Sequence, residues 1–281
     1  MNDTASRADL AGLQAALRAR YGADLLPPEG PWNPTVASLL DHRSVRGYRP
    51  TPVPEGTLET LVAAAQSAPT SSNLQTWSVV EVSDPAHRRE LAAIAGNQKH
   101  VETCPLFLVW LADLSRLERL GQESKVELAG LDYLEVFTVA VVDAAMAAQN
   151  AVVAAESLGL ATVYIGALRN DVERVARLLD LPPRAFAVFG LCVGYAEAAA
   201  AGEVKPRLPQ SMVLHRGRYR TEGEAEDRTA YDRRLSAFSA RQEMSDDDWT
   251  GRVIARIGTI PALRGRDRLK AALAALGFPL K

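Results

Sequence analysis

One stretch limits the folds open to this chain more than any other. Val126 to Leu158 reads as a long helical region, and from Ala140 onward it is rich in alanine and valine and apolar almost all round. A helix with no polar face has to be covered by other elements. Its small side chains call for close approach by those neighbours, within one subunit or across a dimer. The window from Phe137 to Ala155 is as apolar as a membrane span. It carries Asp143, Gln149 and Asn150, however, so the expectation is a buried protein helix and no membrane association.

The remaining pattern supplies the elements that would cover it. Asn33-Pro34 reads as an N-cap followed by proline at the first helical position, opening a short helix to Asp41. Pro54 to Ser67 reads as a second helix, with Leu58, Leu61, Val62 and Ala65 on its apolar face. A polar loop, Thr70 to Gln75, then feeds a strand from Trp77 to Val82. Asp84-Pro85 caps a helix that stops at Gly96, and Leu106 to Leu111 is an uninterrupted apolar run, expected of a strand covered on both faces. Ala161 to Ile165 reads as a short strand, Asn170-Asp171 as the cap of a helix to Leu181, and Phe186 to Val193 as the last core strand. Asp227 to Lys281 reads as three charged helices, and the N-terminus as an amphipathic helix with Leu10, Leu13 and Leu17 on one side.

The 281 residues are enough for a substantial core, and no clean linker divides them. The economical reading is one α+β domain over 1–281, with an N-terminal helical extension (1–32) and a C-terminal one (227–281). A formal net charge of −2 argues against a nucleic-acid binder that relies on a basic face. No secretory signal is read. Cys104 and Cys192 both fall in apolar, strand-like runs and are expected as buried free thiols, as in a cytoplasmic protein.

Two basic elements stand out. His42-Arg43-Ser44-Val45-Arg46 places two arginines and a hydroxyl within reach of a single phosphate, and Lys205-Pro206-Arg207 repeats the theme far downstream. Taken alone, either also fits a solvated basic turn, and His42 also fits a helix C-terminal cap. The four histidines show no metal-ligand spacing with one another or with the cysteines, so no metal site is expected. Neither G-x-G-x-x-G after a strand, nor G-x-x-x-x-G-K-[ST], nor G-x-S-x-G occurs. Binding groups without an obvious nucleophile suit an enzyme whose cofactor performs the chemistry, so no side chain is expected to be catalytic.

Taken together, His42 to Arg46, Gly96 to His100, Tyr164 to Asn170 and Lys205 to Pro209 resemble the FMN-binding blocks of the nitroreductase superfamily. The similarity is greatest to its oxygen-insensitive NADPH nitroreductase and NADPH–flavin reductase branch. Ala148-Gln149-Asn150, Ala155 to Leu160 and Phe189 to Gly194 are also similar to that branch. The resemblance covers about Leu39 to Trp249 and leaves the first thirty or so residues outside. It implies a three-layer fold with a central, mainly antiparallel sheet flanked by helices, assembled as a homodimer with flavin sites at the interface. It implies further that His42, Arg43, Ser44 and Arg46 hold the FMN phosphate and ribityl tail, with Lys205 and Arg207 as a second clamp. Thr70, Ser71, Ser72 and Gln98 would line the flavin, and Tyr164-Ile165-Gly166-Ala167 would bring backbone N–H groups to its reactive edge.

The implied reaction is a ping-pong hydride relay from NADPH or NADH through the flavin to a nitroaromatic, a quinone or free flavin. A flavin reductase serving a partner, a flavin-binding redox protein without turnover, and a dehydrogenase that aromatises a dedicated substrate are the alternatives. The chain departs from the family pattern at three places. Ala167 stands where a second glycine is usual, and Asn73 where an aromatic residue often covers the acceptor pocket. Arg241 falls at a position that reads the NADPH 2′-phosphate, but the acidic Ser245 to Asp248 follows where the family tends to be basic. Arg252, Arg256, Arg264 and Arg266 are further candidates without a firm register.

Overall fold

The computed structural model describes residues 7–23, 25–200, 202–244 and 248–281, and the chain divides into two compact units. A helical unit takes the described residues of 1–43 and 202–262, and a sheet unit those of 44–201 and 263–281.

In the helical unit, α1 (Arg7–Tyr21) packs on α2 (Pro34–Asp41). Asn33 caps α2 as its spacing predicts, its side chain accepting from the Val36 N–H at 2.9 Å. Leu13 and Leu17 are buried on one side of α1, as read; the side chain of Leu10 lies outside the described residues.

The sheet unit begins with α3 (Thr57–Gln66), which starts after the left-handed Gly56 rather than at Pro54. β1 (Trp77–Glu81), α4 (Pro85–Ile94), the single turn α5 (His100–Thr103), β2 (Leu106–Asp113), α6 (Ser115–Ser124) and α7 (Leu134–Ser157) follow. β3 (Ala161–Ile165), α8 (Val172–Leu178) and β4 (Ala185–Gly194) complete the core. The chain then returns to the helical unit for α9 (Glu224–Arg241) and α10 (Trp249–Ile257) and closes in the sheet unit with α11 (Leu269–Ala275). The three helices expected after Asp227 are therefore present.

Four antiparallel strands lie in the order β1-β2-β4-β3. β2 is buried at every position because it is central and covered on both faces. Phe107, Val109 and Leu111 face α4, α5 and α8, while Leu106, Leu108 and Trp110 face α3 and α7, which makes three layers. Between Trp110 and Leu111 the register with β4 slips, the local signature of a bulge. Gly190 of β4 packs under the Phe107 ring, where an added Cβ would lie 2.6 Å from the ring edge.

The buried face of α7 is almost all alanine: Ala140, Ala144, Ala147, Ala148, Ala151 and Ala155 repeat at helical spacing and let α3 and β2 approach closely. The small side chains are thus used inside the sheet unit. The helix begins at Leu134, not at Val126. Lys125 takes a left-handed backbone (φ 54°) after α6, and Ala129–Asp132 forms a separate 3₁₀ turn. Gly130 weakens helix there, and the Asp132 carboxylate is held by Arg184 and Lys281, each at 2.7 Å.

Cys104 and Cys192 are both buried and free. Cys192 lies in β4, whereas Cys104 ends α5 rather than lying in a strand.

Candidate functional site

The expected cofactor residues fall in both units. In the helical unit, His42 stands at the C-cap of α2 with extended-type angles (φ −52°, ψ 131°), the local role open to it from sequence. Arg43 turns back to pair with Asp41 at 2.7 Å. Lys205-Pro206-Arg207 is fixed through its main chain: the Arg207 N–H donates to the Arg20 carbonyl at 2.9 Å, and the Tyr231 hydroxyl donates to the Pro206 carbonyl at 3.1 Å. The Arg20 guanidinium donates to the carbonyls of Leu40 (2.6 Å), His42 (3.0 Å) and Lys205 (2.8 Å). Both basic elements of this unit are therefore tied to one side chain. Arg241 is committed elsewhere: its guanidinium is paired with Glu203 at 3.0 Å and raised in pKa by it. Ser245, Asp246 and Asp247 lie outside the described residues.

In the sheet unit, Ser44 bridges Thr162 of β3, and the Val45 N–H donates to the Thr162 carbonyl at 3.0 Å. Val45 and Tyr48 point inward, 4% and 5% exposed, while Ser44 and Arg46 are left on the outside by the alternation of an extended chain. The Tyr48 hydroxyl locks the segment by donating to the Val45 carbonyl at 2.8 Å. Burial pushes that phenol far above the usual tyrosine range, so it remains a donor. Arg46 forms no ion pair among the described residues. Through Ser44 the segment is bridged to β3, which ends with Tyr164 and Ile165 and is followed by Gly166 and Ala167 opening a 3₁₀ turn. Neither Gly166 nor Ala167 has positive φ, so alanine in place of the family's second glycine is accommodated without strain.

The loop from Thr70 to Thr76 is held in an uncommon conformation. Ser72, Asn73 and Gln75 take left-handed backbones (φ 48°, 55° and 52°), a conformation that costs non-glycine residues about 1 kcal/mol or more each. Asp143 on α7, only 2% exposed, holds it there. Its carboxylate accepts from the Thr70 and Thr76 hydroxyls and from the Ser71 and Thr76 N–H groups, at 2.5 to 3.3 Å. The polar residue that made α7 an improbable span is thus the anchor of the loop. Ser71, Ser72 and Asn73 stay exposed, and a cavity of ≈600 Å³ opens beside them, lined by Val62, Thr70, Asn73, Trp77 and Arg116 among others.

Gln98 follows the left-handed pair Gly96 and Asn97 and donates to the Ala95 carbonyl at 2.9 Å. Two residues on, the His100 Nε2 is buried without a hydrogen-bond partner among the described residues. Burial, and then the charge of Arg46, hold this imidazole below the usual histidine range. The unfolded chain therefore binds a proton at higher pH than the folded one. The stability due to neutral His100 is complete above the ordinary histidine range and is lost as pH falls through it. His100→Gln is expected to flatten the melting-temperature profile between about pH 7 and pH 5; an unchanged slope would contradict this.

In the helical unit, then, Arg20 links the His42 and Lys205 carbonyls; in the sheet unit Ser44 bridges β3, two residues before Tyr164; and Arg241 is paired with Glu203. Two residues with structural control of the expected site segments, Arg20 and Asp143, were not read as site residues. Asp143 carried a signal, a charge in an apolar run. Arg20 carried none.

The model of the Nitroreductase family matches residues 39–195, and that of the family's C-terminal domain matches 205–281. The chain belongs to the Nitroreductase family. This nitroreductase-family chain is 37% identical to a Bacillus subtilis protein named FMN reductase (NADPH), over 79% of its own length and 90% of the relative's. It is 41% identical to a Salmonella typhimurium protein named oxygen-insensitive NADPH nitroreductase, over 66% and 75% of the two lengths. The structure of B. megaterium NfrA1 superposes with a TM-score of 0.82 at 38% identity, covering 88% of this chain and all of that one. These relatives fall in the branch that the sequence blocks resemble.

Proposed function

We propose that this chain is an FMN-dependent NAD(P)H oxidoreductase that reduces nitroaromatics or quinones in a ping-pong cycle. Arg46 carries the reading: an exposed guanidinium with no ion pair among the described residues, on a segment positioned by buried Val45 and Tyr48 and bridged to Thr162 of β3, in a chain of this family. The donor set fits FMN. Arginine forks, an ammonium and the Ser44 hydroxyl match a phosphate dianion, and the exposed Ser71 and Ser72 hydroxyls with the Gln98 amide match the neutral carbonyls and ring nitrogens of a flavin.

In this assignment His42, Arg43, Ser44, Arg46, Lys205 and Arg207 hold the phosphate and ribityl tail. Thr70, Ser71, Ser72, Gln98 and Tyr164 to Ala167 hold the ring system, and Asn73 lies on the acceptor side. Bound FMN supplies the two-electron chemistry between nicotinamide and acceptor. The protein's part is to fix the planes against one another, which the Asp143-anchored loop and the Tyr48-locked segment serve. Arg241, paired with Glu203 at the surface, stays a candidate for the nicotinamide side together with Arg252, Arg256, Arg264 and Arg266.

Exposed apolar residues of α7 and its C-cap, Leu134, Val142 and Leu158 at 54%, 47% and 53%, support assembly as a homodimer. In the same reading the 1–281 chain acts as one domain in the cytoplasm. A relative named FMN reductase supports a second reading, a flavin reductase that releases reduced flavin. Steady-state rates with a nitroaromatic, a quinone and free FMN separate the two. Nitroaromatic or quinone turnover equal to or faster than that of free FMN is expected. Much faster turnover of free FMN would favour the second reading, and no oxidation of NADPH or NADH with any acceptor would contradict both.

A further inference from the structure

Arg20 belongs to α1, which precedes every residue matched by the family models. It is nevertheless the side chain that joins the two basic elements of the helical unit. It follows Leu13 and Leu17 on the inward face of α1 and is itself only 5% exposed. The last carbonyls of a helix lack intrahelical partners. Arg20 donates to two carbonyls at the end of α2, Leu40 at 2.6 Å and His42 at 3.0 Å, and to the Lys205 carbonyl at 2.8 Å. Its own carbonyl accepts from the Arg207 N–H at 2.9 Å. Only a guanidinium offers donors in a rigid plane wide enough to span such acceptors; an ammonium presents its donors from one point.

We propose that Arg20 is a positioning residue, by which the N-terminal extension sets the spacing between the His42-Arg43 corner and the Lys205-Pro206-Arg207 element for an anionic phosphate. The proposal rests on the FMN reading above. The hydrogen bonds by which Arg20 holds the two elements go to main-chain carbonyls, those of Leu40 and His42 on one side and Lys205 on the other. An extension outside the family match thus becomes part of the cofactor clamp.

The test is the affinity of the full-length protein for FMN and for riboflavin, which lacks the phosphate, in the wild type and in Arg20→Ala and Arg20→Lys. Arg20→Ala is expected to weaken FMN by about tenfold or more and riboflavin by less than about twofold. Arg20→Lys should fall between it and the wild type. Equal losses for both flavins, which a purely structural role would give, or no loss for either, would overturn the proposal. Should Arg20→Ala not fold, the FMN-to-riboflavin ratio of Arg20→Lys decides on the same terms. A wild-type chain that binds neither flavin would overturn the functional reading itself, and the brace with it.

Discussion

Alanine at both Ser44 and Arg46 is expected to weaken FMN binding about a hundredfold or more, while riboflavin binding changes by less than about threefold. A charge-assisted hydrogen bond contributes roughly 1.5–3 kcal/mol and a neutral hydroxyl about 1 kcal/mol. Together these give a loss on the order of 3 kcal/mol for a ligand that bears a phosphate. Arg46 is the better target than Arg43 because Arg43 already pairs with Asp41, which offsets part of its gain from a second anion. The fold should tolerate both changes, since Ser44 and Arg46 are exposed and the segment is held by Val45 and Tyr48. Flavin fluorescence titration measures both affinities. Parallel losses for the two flavins would remove the phosphate assignment.

Asp143→Ala should produce the opposite pattern together with a large loss of stability. It leaves two hydroxyls and two N–H groups of the Thr70–Thr76 loop without their acceptor. An unsatisfied buried donor costs about 1–3 kcal/mol. Because the hydroxyls can turn to other acceptors, a total of roughly 3 kcal/mol is expected. In a chain of this size that lowers the melting temperature by about 5 °C. The left-handed backbones of Ser72, Asn73 and Gln75 then lose the contact that holds them, so the loop relaxes. Riboflavin and FMN affinities should fall together, since the ring end is affected and the phosphate end is not. Asp143→Asn retains one carboxamide oxygen as acceptor and should lose less. A melting temperature within about 1 °C of wild type for Asp143→Ala would contradict the anchoring role.

What could be read from the sequence follows the range of the interactions concerned. Asn33, Asp84 and Asp171 each cap a helix a few residues downstream, so one short window contains both partners. The buried strands β2 and β4 were legible as apolar runs for the same local reason. The start of α7 was not: the hydrophobic pattern runs on through Leu128 and Leu131, and what breaks the helix is Gly130 together with Arg184 and Lys281 drawing on Asp132.

The site divides in the same way. The basic and polar blocks could be located by composition and family resemblance. Their control could not, because Asp143 acts on a loop 67 to 73 positions away and Arg20 acts on Lys205, 185 positions away. The left-handed turns at Ser72, Asn73 and Gln75 are likewise invisible in residues that carry no glycine signal.

The most direct test of the central claim is the visible spectrum of the purified protein saturated with FMN, recorded without oxygen before and after NADPH or NADH. The account predicts protein-bound flavin absorption that bleaches with at least one nicotinamide and returns when a nitroaromatic or quinone is added. Bound flavin that neither donor bleaches would contradict the oxidoreductase cycle, and a protein that takes up no FMN would contradict the cofactor assignment as a whole.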